Sequence, residues 1–305
     1  MEIEVTKLAH LTGHQGPLYT LTKGKDATTF YSGGSDKLIV AWDLNTLENP
    51  KVIAKSKFVV YSILLIDKLN ILLIGNNQGG IHVIDLNINK EIRYFEAHSN
   101  GVFCMYYLQS VNRLLTGGGN GEYILWNASD FTVFKKEKIS NGKIRSIAIN
   151  EIKNIVAFAS GEKEVLIYNL KTFERLYSFE AHTDAVNAVA FDKSGDFLIS
   201  GGKDAYLKIW NVNNGFELIK EIPAHNYAIY TIQFNYDGSL FATASRDKTI
   251  KIWETKDFNF LKRIDKAQFE GHLNSVNQIV WSTTENIITS CSDDGKLMVW
   301  KIQLG

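Results

Sequence analysis

The stretch spanning residues 180–211, EAHTDAVNAVAFDKSGDFLISGGKDAYLKIWN, decides the architecture, because its spaced residues recur along almost the whole of a 305-residue chain. Within it VNAVAF reads as a first short strand, DKSGD as a turn, FLISG as a second strand, GKDA as a tight turn and YLKIW as a third strand. A fourth strand is expected before the next histidine. A unit of this kind cannot bury both faces of its small twisted sheet, so it is stable only where neighbouring copies cover it.

Stepping back from Trp210 by 42 residues at a time reaches Tyr168, Trp126, Ile84 and Trp42, and stepping forward by 43 and then 47 reaches Trp253 and Trp300, which makes seven repeats. Ten residues before these markers stand Ser32, Ile74, Thr116, Phe158, Ser200, Thr243 and Ser290, and four residues further on stand Asp36, Gln78, Asn120, Glu162, Asp204, Asp247 and Asp294. His14, His98, His182, His225 and His272 each precede the marker of their own repeat by 28 residues, while Ser56 and Ser140 hold that place in the second and fourth repeats.

The pairs Gly13-His14 with Trp42-Asp43, Ala97-His98 with Trp126-Asn127, Ala181-His182 with Trp210-Asn211, Ala224-His225 with Trp253-Glu254 and Gly271-His272 with Trp300-Lys301 carry a resemblance. They resemble the Gly-His and Trp-Asp signature of the WD-repeat (WD40) family, whose repeats run to about 40–45 residues and four strands. The resemblance extends over essentially the whole chain. It implies an all-β fold, a seven-bladed β-propeller of four-stranded antiparallel blades, with residues 1–305 as one domain. The second and fourth repeats end in Ile84-Asp85 and Tyr168-Asn169 but lack the histidine and the hydroxyl, so their internal polar network is expected to be absent.

The seventh repeat stops shortly after Trp300, with no room for a fourth strand of its own. The alternating stretch 2–9 is therefore expected to complete the seventh blade and lock the ring, which removes free sheet edges. Between Trp253 and His272 lie 19 residues of spacing against 14 in shorter connections, and the insertion of 5, around residues 265–269, is expected to protrude.

Serine, histidine and aspartate together invite a hydrolase reading. Repetition argues against it, because a catalytic triad is needed once, whereas His182-Ser200-Asp204, His225-Thr243-Asp247 and His272-Ser290-Asp294 recur at one spacing beside Trp210, Trp253 and Trp300. The resemblance implies that each set is an internal hydrogen-bond chain from indole to hydroxyl to imidazole to carboxylate, as it does for His14, Ser32, Asp36 and Trp42 and for His98, Thr116, Asn120 and Trp126. Gly117 to Gly121 reads as a turn, since no Gly-Lys-Ser/Thr phosphate loop or helical pattern accompanies it. His10 and His82 are left without an obvious partner, and no cofactor or metal is expected.

Equal counts of 33 basic and 33 acidic residues and a pI near 7.1 argue against a general nucleic-acid or membrane surface. Cys104 and Cys291, in different strands, read as buried free thiols. The chain has no uninterrupted apolar run of about 18 residues and its start lacks the pattern of a signal peptide, so a cytoplasmic location is expected.

What remains is binding. In propellers of this family the loops before each first strand and the turns after each second strand gather on one rim around the central opening. At equivalent positions of the seven inner strands stand Tyr19, Tyr61, Phe103, Arg145, Asn187, Tyr230 and Asn277. Phe58, Lys143 and Tyr227 belong to the incoming loops, and Lys203 and Arg246 to the turns. Aromatics and arginine are enriched at interface centres. The expectation is a non-catalytic protein–protein interaction scaffold, a monomeric propeller within a larger complex. Its rim residues Tyr19, Phe58, Tyr61, Phe103, Lys143, Arg145, Lys203, Tyr227, Tyr230 and Arg246 would take a partner segment carrying acidic and apolar residues. The alternatives are an enzyme using the central mouth and a nucleic-acid-associated subunit using a patch at Lys143, Arg145, Lys203 and Arg246.

Overall fold

Apolar residues at alternate positions, bounded by turns built on Asp, Asn and Gly, set down short strands one after another along the chain. In the computed structural model, which describes residues 2–26, 28–46, 50–282 and 286–305, they form seven four-stranded antiparallel sheets. The fifth is typical: Val186–Phe191 innermost, then Phe197–Gly202, Tyr206–Asn211 and, outermost, Glu217–Pro223. The innermost strands touch one another around a closed circle, the first meeting the seventh. A Cβ placed on Gly33, Gly117 or Gly201 would stand 2.6–2.8 Å from Val60, Ile144 or Ile229 of the next blade, so these glycines permit the close approach of neighbouring sheets.

Burial follows the ring. Seven apolar clusters form, one at each contact between adjacent blades. The cluster joining the seventh blade to the first brings Val280, Cys291, Leu297 and Val299 against Leu18, Leu21, Phe30 and Trp42. Trp281, the one tryptophan outside the repeat period, is also fully buried and donates its indole N–H to the Gln233 carbonyl of the sixth blade at 3.0 Å.

The N-terminal strand closes the ring as expected, over Ile3–Leu11. It pairs antiparallel with Leu297–Leu304, from Ile3 opposite Leu304 to Leu11 opposite Leu297, with one bulge between Lys7 and Ala9. Ile3 and Val5 join the cluster between the sixth and seventh blades. The insertion at 265–269 is exposed at Lys266, Ala267 and Gln268 but anchored at both ends, by Asp265 and Phe269. It forms a single helical turn, Lys266–Phe269, whose first turn is capped by the Asp265 carboxylate accepting from the Gln268 N–H at 2.9 Å. Phe269 packs on the same cluster, and Lys7 of the closing strand donates to the Glu270 carbonyl at 3.0 Å.

The histidine, hydroxyl, carboxylate and tryptophan are chained in four blades. Indole N–H groups of Trp42, Trp210, Trp253 and Trp300 donate to Ser32, Ser200, Thr243 and Ser290 at 2.7–3.1 Å. The same hydroxyls lie 2.7–2.9 Å from Nε2 of His14, His182, His225 and His272. Nδ1 of those histidines lies 2.8–2.9 Å from Asp36, Asp204, Asp247 and Asp294. With each hydroxyl accepting from indole, its proton is free for Nε2, which leaves Nδ1–H for the carboxylate. Each carboxylate also accepts the backbone N–H after the histidine, from Gln15, Thr183, Asn226 or Leu273, at 2.9–3.1 Å. The loop entering the blade is thereby clasped to the turn after its second strand. Burial lowers the pKa of His14 and His225 and favours the neutral ring this chain requires.

Three blades depart from this pattern. In the third, His98 and Trp126 both reach Thr116, at 2.9 and 3.1 Å, but Asn120 turns its amide N–H to Glu122 and leaves its own Oδ1 and His98 Nδ1 without partners. Burial holds the His98 pKa at about 4.

The second and fourth blades are not devoid of polar ties, which corrects the sequence expectation. In the fourth, Ser140 Oγ lies 2.8 Å from Ser160 Oγ and donates to Glu162 at 3.0 Å, and the Asn141 N–H reaches the same carboxylate at 2.8 Å. In the second, the Asn76 side chain accepts the N–H groups of Gln78, Gly79 and Gly80 at 2.9–3.1 Å and closes the turn by itself.

Candidate docking site at the mouth of the central channel

The positions that reach the mouth are set by a defect repeated in every inner strand. In the first blade Leu18 pairs with Gly34 and Thr20 with Gly33, so Tyr19 is an extra residue bulged out of the ladder. The same slip occurs at Tyr61, Phe103, Arg145, Asn187, Tyr230 and Asn277. A bulge re-aims the side chain it carries. Seven bulges at equivalent heights line one cavity of about 360 Å³ at the mouth, together with Lys143, Gln278 and Asp293. Tyr61, Phe103, Arg145, Tyr230 and Gln278 also line a cavity of about 410 Å³ in the channel beyond.

Around the mouth the chemistry is divided by blade. Tyr19 meets Tyr61 edge to face with ring centroids 5.8 Å apart, and Tyr61 meets Phe103 at 5.1 Å. Next to this aromatic arc, Lys143 Nζ and Arg145 Cζ lie 4.9 and 5.2 Å from the Phe103 centroid. Burial lowers the pKa of both cations, and Arg145 lowers that of Lys143 further. Burial raises the Tyr19 pKa, with Asp293 adding to it.

The polar side is committed to structure. Asn187 donates to the Ile229 carbonyl of the next blade at 3.1 Å, and Asn277 donates at 2.7 Å to both the Leu18 carbonyl and the Asp293 carboxylate. Immediately after the bulge, Ser62 reaches the Val102 carbonyl at 2.8 Å and Cys104 the Ile144 carbonyl at 3.4 Å. Cys104 and Cys291 are free thiols whose pKa burial pushes up, that of Cys104 to about 12.

Six of the ten rim residues expected from sequence thus share the mouth: Tyr19, Tyr61, Phe103, Lys143, Arg145 and Tyr230. The other four lie outside that cavity. Lys203 is exposed and paired with Asp184 at 3.1 Å, Arg246 lies over the exposed Tyr227 ring at 5.8 Å, and Lys57 lies 5.4 Å from Phe58. Asn187, Asn277, Gln278 and Asp293 also line the mouth, beyond the ten expected rim residues; Asn187 and Asn277 sit at bulges, Gln278 just after one, and Asp293 in the turn after its second strand.

His82 has partners, contrary to expectation. Its Nδ1 lies 3.1 Å from Glu91 and its Nε2 3.4 Å from Ser56 Oγ, the only Ser-His-carboxylate arrangement among the described residues outside the repeating set. Ser56 is buried and its hydroxyl already accepts the Phe58 N–H at 3.1 Å, so it is placed as a loop tie and not as a nucleophile.

Comparison with known proteins agrees with this geometry repeat by repeat. Residues 5–43, 89–127, 173–211, 216–254 and 264–301 match the family described as WD domain, G-beta repeat. The unmatched spans contain the three inner strands of the second and fourth blades, the two without the histidine. Among curated relatives, Periodic tryptophan protein 2 of Saccharomyces cerevisiae is 23% identical over 124 residues, 40% of this chain and 13% of that one. WD repeat-containing protein 91 homolog of Dictyostelium discoideum is 23% identical over 193 residues, 61% of this chain and 25% of its own. Eukaryotic translation initiation factor 3 subunit I of Brugia malayi is 26% identical over 159 residues, 47% of this chain and 48% of its own. The chain therefore spans less than half of the length of each of these relatives. With five family matches on a ring of seven four-stranded blades, the chain belongs to the WD40 repeat family.

Proposed function

We propose that this protein is a non-catalytic interaction scaffold that docks a peptide or loop of a partner protein at the channel mouth, within a larger complex. The observation that carries the reading is the convergence of the bulged residues: an aromatic arc and two cations projected into one open cavity by a closed, stiff ring. Large aromatics supply contact area at low entropic cost, and guanidinium groups recognise carboxylates with paired hydrogen bonds. A partner segment with apolar and acidic residues matches that lining. The repeating hydrogen-bond chains favour a structural over a catalytic use of their serines and histidines. A nucleic-acid surface is disfavoured by Asp293 at the same mouth and by the pairing of Lys203 with Asp184. Among the described residues no helix is long and apolar enough to cross a membrane. A cytoplasmic site of action is part of the proposal, and two free thiols suit a reducing compartment.

The test replaces Tyr230 and Arg246 individually with Ala and compares partner recovery from the native host with melting temperature. Tyr230→Ala is expected to weaken docking by about 2 kcal/mol or more. Arg246→Ala, at an exposed position, is expected to change stability by less than about 0.5 kcal/mol. If Tyr230→Ala keeps every partner, or loses partners only by unfolding, the mouth is not the docking site; partner loss in Arg246→Ala alone would move the site to the outer rim.

A further inference from the structure

We infer that Arg145 is the seat for one side-chain carboxylate, a glutamate or aspartate of the docked segment; this rests on the docking reading above. Arg145 is the bulged residue of the fourth inner strand and lies where the mouth cavity meets the channel. Among the described residues no carboxylate stands within ion-pair distance of it and no acceptor takes its N–H groups. Its interactions are with the Phe103 face and with the nearby Tyr61 and Tyr230. A guanidinium held against an aromatic ring keeps its edge donors free and oriented, a geometry that suits a two-oxygen acceptor.

Lys143 shares the same ring, so two cations are crowded in a partly desolvated place where each disfavours the other, and an incoming anion relieves both. The charge of the ligand follows from the lining. Two cations face one carboxylate, Asp293, itself held by Asn277, which leaves one net positive charge and matches a monoanion better than a phosphate dianion. An apolar neighbour of that carboxylate would lie on the Tyr19, Tyr61 and Phe103 arc.

The experiment titrates the isotopically labelled chain with end-blocked glutamate, end-blocked glutamine and end-blocked phosphoserine, following the Arg145 Nε–Hε and Phe103 ring signals. Saturable shifts are expected with the glutamate compound, at least about tenfold tighter than with the glutamine compound. R145Q should abolish the glutamate response with the melting temperature unchanged, R145K should restore only part of it, and K203Q should leave it intact. No saturable shift, equal affinity for glutamate and glutamine, tighter binding of phosphoserine, or an undiminished response in R145Q overturns the proposal. Partner recovery separates this from the broader reading: if R145Q keeps every partner that Tyr230→Ala loses, the mouth docks proteins but not through a carboxylate at Arg145.

Discussion

The fourth and fifth blades carry the same four-stranded sheet, yet they are held together by different physics. In the fifth, a buried indole, hydroxyl, imidazole and carboxylate form one hydrogen-bond chain through His182, Ser200, Asp204 and Trp210. In the fourth, Phe158 stands where Ser200 does and Tyr168 where Trp210 does, and both are fully buried with Tyr123 in an aromatic group. What the two share is the clasp: a carboxylate on the turn accepts the backbone N–H of the incoming loop, Thr183 to Asp204 at 2.9 Å and Asn141 to Glu162 at 2.8 Å. Between these two blades the clasp is kept while the polar chain behind it is exchanged for packing.

The largest effect should come from attacking each blade at its own interior. Phe158→Ala opens a cavity among Tyr123, Tyr168 and Leu166 and is expected to cost about 3–5 kcal/mol. Ser200→Ala at the equivalent place leaves the indole N–H of Trp210 and Nε2 of His182 unpaired and is expected to cost about 1–3 kcal/mol. Urea unfolding read at constant slope measures both. Equal costs would mean that the polar chain carries as much as the aromatic packing, and the contrast between the blades would fail.

How much of this was legible follows from what a sequence can repeat. The markers at Trp42, Trp126, Trp210, Trp253 and Trp300 recur at nearly regular spacing, so the blades and the closing strand are legible in the sequence. The fourth blade's ties could not, because Ser160 stands two positions beyond Phe158, where Gly202 stands in the fifth blade, and so escapes a template built on the histidine. At the mouth, the equivalence of Tyr19, Tyr61, Phe103 and Arg145 was readable, but the bulge that points them inward is a register slip between strands and leaves no mark on residue type. The packing of the helical turn at Phe269 was missed for a related reason: insertion length predicts extra chain, not which apolar side chain returns to the core.

The third blade lies between the two designs and sharpens the comparison through pH. His98 is buried with Nδ1 unpaired, and its pKa falls from the usual 6.5 to about 4. A lowered histidine pKa means that the native state prefers the neutral ring, so this contribution is complete above pH 6.5 and is lost as pH falls towards 4. The loss amounts to about 3 kcal/mol. Asn120→Asp supplies the carboxylate that the fifth blade has in Asp204, should raise the His98 pKa, and should shrink this acid loss. The measurement is the melting-temperature difference between neutral and mildly acid pH in both proteins. His14 and His225 titrate alike in each and cancel, so an unchanged difference would show that His98 is not the group responsible.

The smallest expected effect tests the clasp itself. Asp204 is almost wholly buried at its side chain and serves His182, Thr183 and Tyr206, so Asp204→Ala leaves four donors short of a partner and should cost about 1.5–3 kcal/mol. Glu162 makes the corresponding bond from an exposed position, and Glu162→Gln keeps an oxygen for the Asn141 N–H while removing the charge, so its cost should stay below about 0.5 kcal/mol. Both carboxyls have lowered pKa values. Burial pushes the Asp204 pKa up, but His182 and the Thr183 and Tyr206 N–H groups together hold it at about 2, and Glu162 is held down by the Asn141 N–H. Each contribution is therefore present above the unfolded carboxyl pKa and fades as pH drops through the folded value. Hydrogen exchange at the amides of Thr183 and Asn141 reads the clasp directly. Asp204→Ala should speed exchange at Thr183 strongly, whereas Glu162→Gln should leave Asn141 nearly as protected as before; strong deprotection of Asn141 would show that the negative charge, and not the oxygen acceptor, holds the loop to the turn.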